Sequence, residues 1–412
     1  MAEQNFTVKE VEFIVLNIPF HPRCADTMEI RGPGWGIVEL CRVTTQAGVV
    51  GIGETIQGYT WKRSTDAEAG RVTGGNLFDH LWDDSLGAGL QMALFDAAGK
   101  ALGVPCHRLL GIQHRPACPV SWWAQDMAPK AWVAEARAAV EHGFTTMKVK
   151  ARPWFDIDAQ LAAVNQTVPP YFKMDTDFNG LLLGVDQAAP LIGRLEAKYA
   201  NLAIVESPIP QDDVAGNALL RQKIRSPISM HMGSPPVMTA IKEGVCDGFV
   251  IGGGARQVID DGLLAGRAKM PFWLQMVGTG LTTMFSVHLG AVLEQARWPA
   301  IPCINIYSHH LLKRFEIAGG LVPVPQEPGL GVDIDWDAVE RFRVEADFKK
   351  EAVREIHTIH WPDGRQSHWP DGGYRDDFLS GKLPGFLPGV SLERRLDDGG
   401  GEFAREYGEL FG

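Results

Sequence analysis

The sequence predicts an α/β protein built around a closed parallel barrel and introduced by a smaller α+β portion. From about Cys118 to Tyr307, apolar stretches of strand length alternate with stretches of helical spacing, and the strands end near Ser121, Lys150, Asp175, Glu206, His231, Ile251, Gln275 and Asn305. Eight such runs at intervals of roughly 20 to 30 residues suit a barrel that closes on itself, with its ligand site where the strands end. Before them, residues 6 to 55 alternate apolar and polar in the manner of strands. Charges also recur at the strand ends. An open doubly wound sheet is the rival architecture, but no Gly-x-Gly-x-x-Gly turn follows a first strand. Gly252-Gly253-Gly254 follows the sixth strand, where it could be only a tight strand-to-helix turn.

Taken in order, Val8 to Val15, Gly36 to Val43 and Val49 to Glu54 read as a small antiparallel sheet. Leu86, Leu90, Ala93, Leu94, Ala97 and Ala101 fall at helical spacing, and the helix should stop near Gly103-Val104-Pro105. In the first barrel strand, Trp122 and Trp123 cannot both face the site, because neighbours alternate. The second holds Thr145-Thr146-Met147-Lys148-Val149-Lys150, whose two lysines at i and i+2 share one side. That placement is costly in a core and useful beside an anion. The third ends in Asp175-Thr176-Asp177 and the fourth in Glu206-Ser207-Pro208. Late in the chain, Trp361-Pro362-Asp363-Gly364 and Trp369-Pro370-Asp371-Gly372 read as two turns on a surface extension.

Composition narrows the function classes. The chain has 412 residues, 45% of them hydrophobic, enough for more than one domain and a large core. A net charge of -11 argues against nucleic acid or an anionic membrane as the main partner. There is no basic-then-apolar leader and no apolar run of about 18 residues, so a cytoplasmic location is expected. The six cysteines are far apart without a CxxC pair, which suits reduced buried thiols.

The helix Leu94 to Pro105 followed by Leu109-Leu110-Gly111, then Lys148-Val149-Lys150, Asp175, Glu206-Ser207-Pro208 and Val324 to Val332 with its Pro-Gly-Leu-Gly segment, resembles the enolase superfamily. Within it, the similarity is to the mandelate racemase and muconate lactonizing enzyme group, and it extends over nearly the whole chain. The resemblance implies a (β/α)7β barrel over residues 118–320, an α+β capping domain over 1–117, and a segment 321–412 that returns to the cap. It further implies removal of a proton alpha to a carboxylate of a small-molecule acid, with a divalent metal, Mg²⁺, stabilising the charge that develops. Lys150 matches the family's base. Lys148 would lie deeper, holding the substrate carboxylate and lowering its neighbour's pKa. Asp175 and Glu206 match metal acids. Otherwise both lysines merely pair with Asp175 and Asp177. A homo-oligomer is expected by the same analogy.

Departures from the pattern are informative. Aligning Pro227-Ile228-Ser229-Met230-His231-Met232 by its proline puts Met232 where the third metal acid would stand. Gly252 replaces an acid-base residue, the seventh strand ends without histidine, and Asn305 stands where glutamate is usual. His288 falls inside a helix, where a core role is expected. Three possibilities follow: His231 completes a set with Asp175 and Glu206 that suits Mn²⁺, Fe²⁺ or Zn²⁺; Asp177, where the family commonly has Asn, supplies the third carboxylate; or the metal binds weakly or not at all. His21, Arg23, Trp35, Tyr59 and Trp61 fall in cap segments that in the family fold over the mouth, and Arg23, Tyr59, Trp61 and Asp177 are the expected substrate contacts. One surviving base favours elimination, as in a dehydrating lyase, or isomerisation over racemisation. The alternative is a catalytically silent carboxylate-binding protein.

Overall fold

A computed structural model describes residues 6–58 and 61–412. Strands β1 (Val8–Asn17), β2 (Ile37–Thr45) and β3 (Val50–Ile56) form an antiparallel sheet in that order. The helix Ala88–Leu102 lies across it and ends at Gly103, whose φ of 70° an L-residue adopts at a cost. Alternation breaks at Gly51 and Gly53 for a steric reason. A Cβ at either would stand 2.1 Å from a helix carbonyl oxygen, that of Ala93 or of Gly89. Buried Asp96 on this helix accepts from the Ile52 amide at 2.9 Å and the Leu330 amide at 2.8 Å, tying β3 to the Pro-Gly-Leu-Gly segment.

After β4 (Ala117–Pro119) come β5 (Trp122–Ala124), β6 (Thr146–Lys150), β7 (Lys173–Asp177), β8 (Leu202–Glu206), β9 (Ile228–His231), β10 (Gly248–Ile251) and β11 (Phe272–Leu274). Strands β5 to β11 pair in sequence order, all parallel, with helices between them. The expected eighth strand is different in kind. The Ala300 carbonyl accepts from the Ser121 amide at 2.9 Å while the Ile301 amide donates to Leu274 at 2.8 Å, so one short segment bridges the two edge strands. Pro302 cannot donate to a ladder, and the chain turns into a 3₁₀ turn, Ile304–Ile306. The Asn305 side chain continues the closure, donating to the Trp123 carbonyl at 2.8 Å and accepting from its amide at 3.1 Å.

Strand β12 (Leu321–Pro323) pairs with β4, and the Val344 amide donates to Val15 of β1 at 2.9 Å, so the chain returns to its beginning. Strands β13 (Glu355–His360), β14 (Gln366–Trp369) and β15 (Ser391–Leu396) then form a sheet of order β14-β13-β15. The first Trp-Pro-Asp-Gly turn joins β13 to β14, with the Gly364 amide donating to Trp361 at 3.0 Å. The second precedes the helix Tyr374–Leu379. This segment is no mere surface extension, because Trp361 is buried and Trp369 packs against the same cluster. Trp361 is buried with Ile359, Tyr374 and Phe378 in a second apolar cluster that takes in Trp154 and Phe155 after β6 and Leu181 after β7. No helix among the described residues is long and apolar enough to cross a membrane.

Candidate active site

Parallel pairing in register carries the period-two charges of neighbouring strands to one place. Lys148 pairs opposite Asp175 and Lys150 opposite Asp177, while Asp177 pairs opposite Glu206. The Lys148 side chain is fully buried. Its Nζ lies 2.5 Å from Glu206 Oε2 and 3.7 Å from Asp177 Oδ2, and donates to Gln275 Oε1 at 2.8 Å. The ring of Trp273 lies 5.3 Å away, a cation–π contact. Lys150 Nζ is 2.5 Å from Asp177 Oδ2 and 3.4 Å from Asn179 Oδ1, with 17% of its side chain reaching solvent. Arg152 extends the lysines' spacing by one more step. It is buried and donates to the Asp177 carbonyl at 2.8 Å and to Asn179 Oδ1.

These contacts set the protonation of the cluster. Burial lowers the Lys150 pKa, helped by Lys148 and Arg152 and opposed by Asp177. Burial works against an ionised Asp177, but Lys150, Lys148 and Arg152 outweigh it and hold its carboxyl well below the usual range. Asp175 is pushed up to about 7, mainly by burial; Glu206 adds to the rise and Lys148 opposes it. One Asp175 oxygen, Oδ2, is buried without a hydrogen-bond partner.

His231 Nε2 stands 3.3 Å from Glu206 Oε1, so the imidazole faces the acids from β9. Beside it the mouth opens into a cavity of about 340 Å³ lined by Trp61, His231, Met232, Gly252, Gln275 and Met276, among others. Trp61 is thus the cap residue on that wall. Tyr59 falls outside the described residues. Arg23 does not join the cluster: it pairs with buried Glu135 at 3.4 Å and stacks 5.1 Å from Trp122, on the opposite side of β5 from the barrel interior. Trp122 faces out to the helix Pro129–Glu141, donating to Glu135 at 2.7 Å, and this draws Arg23 outward with it. His288 is a core residue, as expected, accepting from the His107 amide at 3.2 Å and meeting the Leu330 carbonyl at 3.1 Å. Gly252 has a packing reason, since a Cβ there would lie 2.7 Å from the Gln275 carbonyl oxygen. Arg152, Asn179 and Gln275 escape the sequence argument, although Arg152 at i+4 from Lys148 could have been read from the same alternation.

Of the three expected metal ligands, Glu206 pairs with Lys148 and stands 3.3 Å from His231, and Asp175 lies opposite Lys148 in the strand register, an arrangement of charge contacts and not a ligand cage. Asp175 and Glu206 offer two carboxylates, yet an ammonium already lies on Glu206, and β9 contributes an imidazole and a thioether where a third carboxylate would be needed. Asp177 is engaged by Lys150. Among the described residues, no group of three or more His, Cys, Asp or Glu side chains is arranged to hold a metal. The donor set does not fit the divalent ion, typically Mg²⁺, that enolase-superfamily members generally use.

A parallel barrel whose second to fourth strands end in paired lysines and acids, closed by a two-ended cap, defines a class of barrel enzymes acting beside carboxylates. Residues 131–338, a little over half of the chain, match the family model described as enolase C-terminal domain-like, and the protein belongs to the enolase superfamily, in its mandelate racemase/muconate lactonizing group. Muconate cycloisomerase 1-2 of Acinetobacter lwoffii is 24% identical over 385 residues, covering 82% of this chain and 95% of that protein. N-succinylamino acid racemase of Thermus thermophilus is 26% identical over 61% of this chain and 69% of its own. The crystal structure of a mandelate racemase/muconate lactonizing family protein from Azoarcus sp. EbN1 superposes with a TM-score of 0.66 at 25% identity, covering 83% of this chain and 98% of that one. About a sixth of this chain is thus unmatched by proteins matched over nearly their whole length.

Proposed function

We propose that this protein removes the proton alpha to the carboxylate of a small acid, with Lys150 as the base, leading to elimination or isomerisation. The observation that supports this is the buried lysine pair opposed by three acids beside a cavity of small-molecule size. A neutral amine at Lys150 takes the proton from carbon, and Asp177 at 2.5 Å holds the ammonium that forms. Lys148 supplies fixed positive charge at the floor of the cluster, where dehydration strengthens its effect. Across the mouth, β10 and β11 lead into Gly252 and Gln275, neither of them a base of useful strength, which favours a one-base course over racemisation. The divalent ion expected from the resemblance is assigned no step, because the donors do not fit it.

In D₂O, the wild-type protein is expected to place deuterium alpha to the carboxylate of at least one hydroxy, sugar or amino acid. Lys150→Met should keep binding and lose exchange by a factor of about 10² to 10⁴. The alternative is a silent carboxylate-binding protein, favoured by the way Asp177 neutralises Lys150. A tightly bound acid whose proton the wild-type protein never exchanges would establish that alternative.

A further inference from the structure

We propose that the ammonium of Lys148 takes the place of the divalent cation, so that the acids of this barrel are held together by a side chain and the site binds no divalent ion. The proposal uses the reading above only for where the site lies. Lys148 Nζ sits 2.5 Å from Glu206 Oε2 and 3.7 Å from Asp177 Oδ2, on a side chain with no exposure to water. A cation at that spot uses the lone pairs an incoming metal would need.

Three changes in the surrounding residues agree with it. On β9, His231 faces Glu206 at 3.3 Å and Met232 follows, so no third carboxylate reaches the acids from that strand. Mg²⁺ demands near-octahedral oxygen donors. On β7, Asp177 adds a carboxylate that pairs with Lys150 at 2.5 Å and lies near Lys148. With every group ionised, Lys148, Lys150 and Arg152 match Asp175, Asp177 and Glu206 one for one, all of them buried or nearly so. A divalent ion would add two charges to a balanced, dry cluster and expel an ammonium that has no exit to solvent. On β11, Gln275 offers its amide oxygen at 2.8 Å, a partner that suits an ammonium.

Mn²⁺ alone is the probe. Full-length protein, treated with EDTA and dialysed, is titrated while free Mn²⁺ is followed by electron paramagnetic resonance. The wild type should bind no ion tighter than about 1 mM, the weak end of protein sites for divalent ions. Lys148→Met, its fold checked by circular dichroism, should bind at least tenfold more tightly than the wild type, because Glu206 then loses the ammonium at 2.5 Å and becomes available together with Asp175, whose Oδ2 has no hydrogen-bond partner. Binding by the wild type below 1 mM that Glu206→Gln abolishes overturns the proposal; binding that survives Glu206→Gln lies elsewhere and leaves it standing. A folded Lys148→Met that binds no better than the wild type also overturns it. Should that variant not fold, the wild-type titration decides. Deuterium exchange is scored separately, so a protein without exchange and without Mn²⁺ affinity counts against the lysine base and not against the internal cation.

Discussion

Asp177 shows how far one atom can change a site. An asparagine there would offer Lys150 a dipole, whereas the carboxylate offers a full charge and, with Arg152 behind it, balances the cluster. Its attraction raises the Lys150 pKa against the lowering by burial, Lys148 and Arg152. Asp177→Asn should therefore lower that pKa further, and the alkaline rise of the exchange rate should move to lower pH by one to three units, roughly the effect of losing a close counter-charge. A pH–rate profile that does not move would show that Lys150 is not the titrating base. His288 gives a second pH signature. Burial lowers its pKa to about 4 from the ordinary 6.5, with the neutral ring meeting Leu330 and His107. Such a group favours the folded state above pH 6.5, and the benefit disappears as pH falls through 4, a loss of about 3 kcal/mol. Urea titrations at pH 7 and 4.5 should show this slope, and His288→Gln should flatten it. Lys148, Lys150, Asp175 and Glu206 could be read as neighbours from alternation alone. That His231 faces the acids was only one of three readings the sequence left open, because it depends on where β9 begins its pleat relative to β8.

Among elements, the barrel was legible strand by strand until its last member. Apolar runs announce buried parallel strands, but the closing segment is too short and too interrupted by Pro302 to give such a run, and side-chain amide bonds from Asn305 complete what backbone bonds do elsewhere. The sheet of β13 to β15 escaped for another reason: its partners are loops far away in sequence. Asp126, after β5, is fully buried between Arg394 of β15 and Arg31 of the cap at 3.2 Å, and receives the Trp154 indole at 2.7 Å. Three separate parts of the chain converge on that carboxylate. Asp126→Ala leaves two guanidinium groups facing each other without their shared acid, at a cost of about 3 to 5 kcal/mol. The variant should melt earlier and expose the stretch between Val344 and Arg354 to trypsin before the rest of the chain. Equal trypsin resistance in variant and wild type would show that the apolar cluster alone seats the sheet.

On the scale of the whole molecule, the mouth is divided. The C-terminal sheet sits on the loops after β5, β6 and β7, the side that carries the lysines, and the open cavity lies at the ends of β9, β10 and β11, with Trp61 on its wall. That cavity of about 340 Å³ meets the cluster through His231 and Gln275, and Lys150 is not among the residues that line it. The overall negative charge of the chain gave no hint of this local arrangement, and the aromatic and cationic residues of the cap loops could not be sorted by sequence into those that face the mouth and those that face the helices. Trp61 and Arg23 fall on opposite sides of that division, and a paired test separates them. Trp61→Ala removes apolar wall that ground state and transition state share, so KM should rise about tenfold, equivalent to about 1.4 kcal/mol, with kcat nearly unchanged. Arg23→Ala should leave KM and kcat alone but lower the melting temperature, since Glu135, 1% exposed, loses its counter-charge, a loss on the order of 3 kcal/mol. If Arg23→Ala instead raises KM while the melting temperature holds, the arginine reaches the substrate after all, and the cap must close over the mouth in a way that draws it away from Glu135.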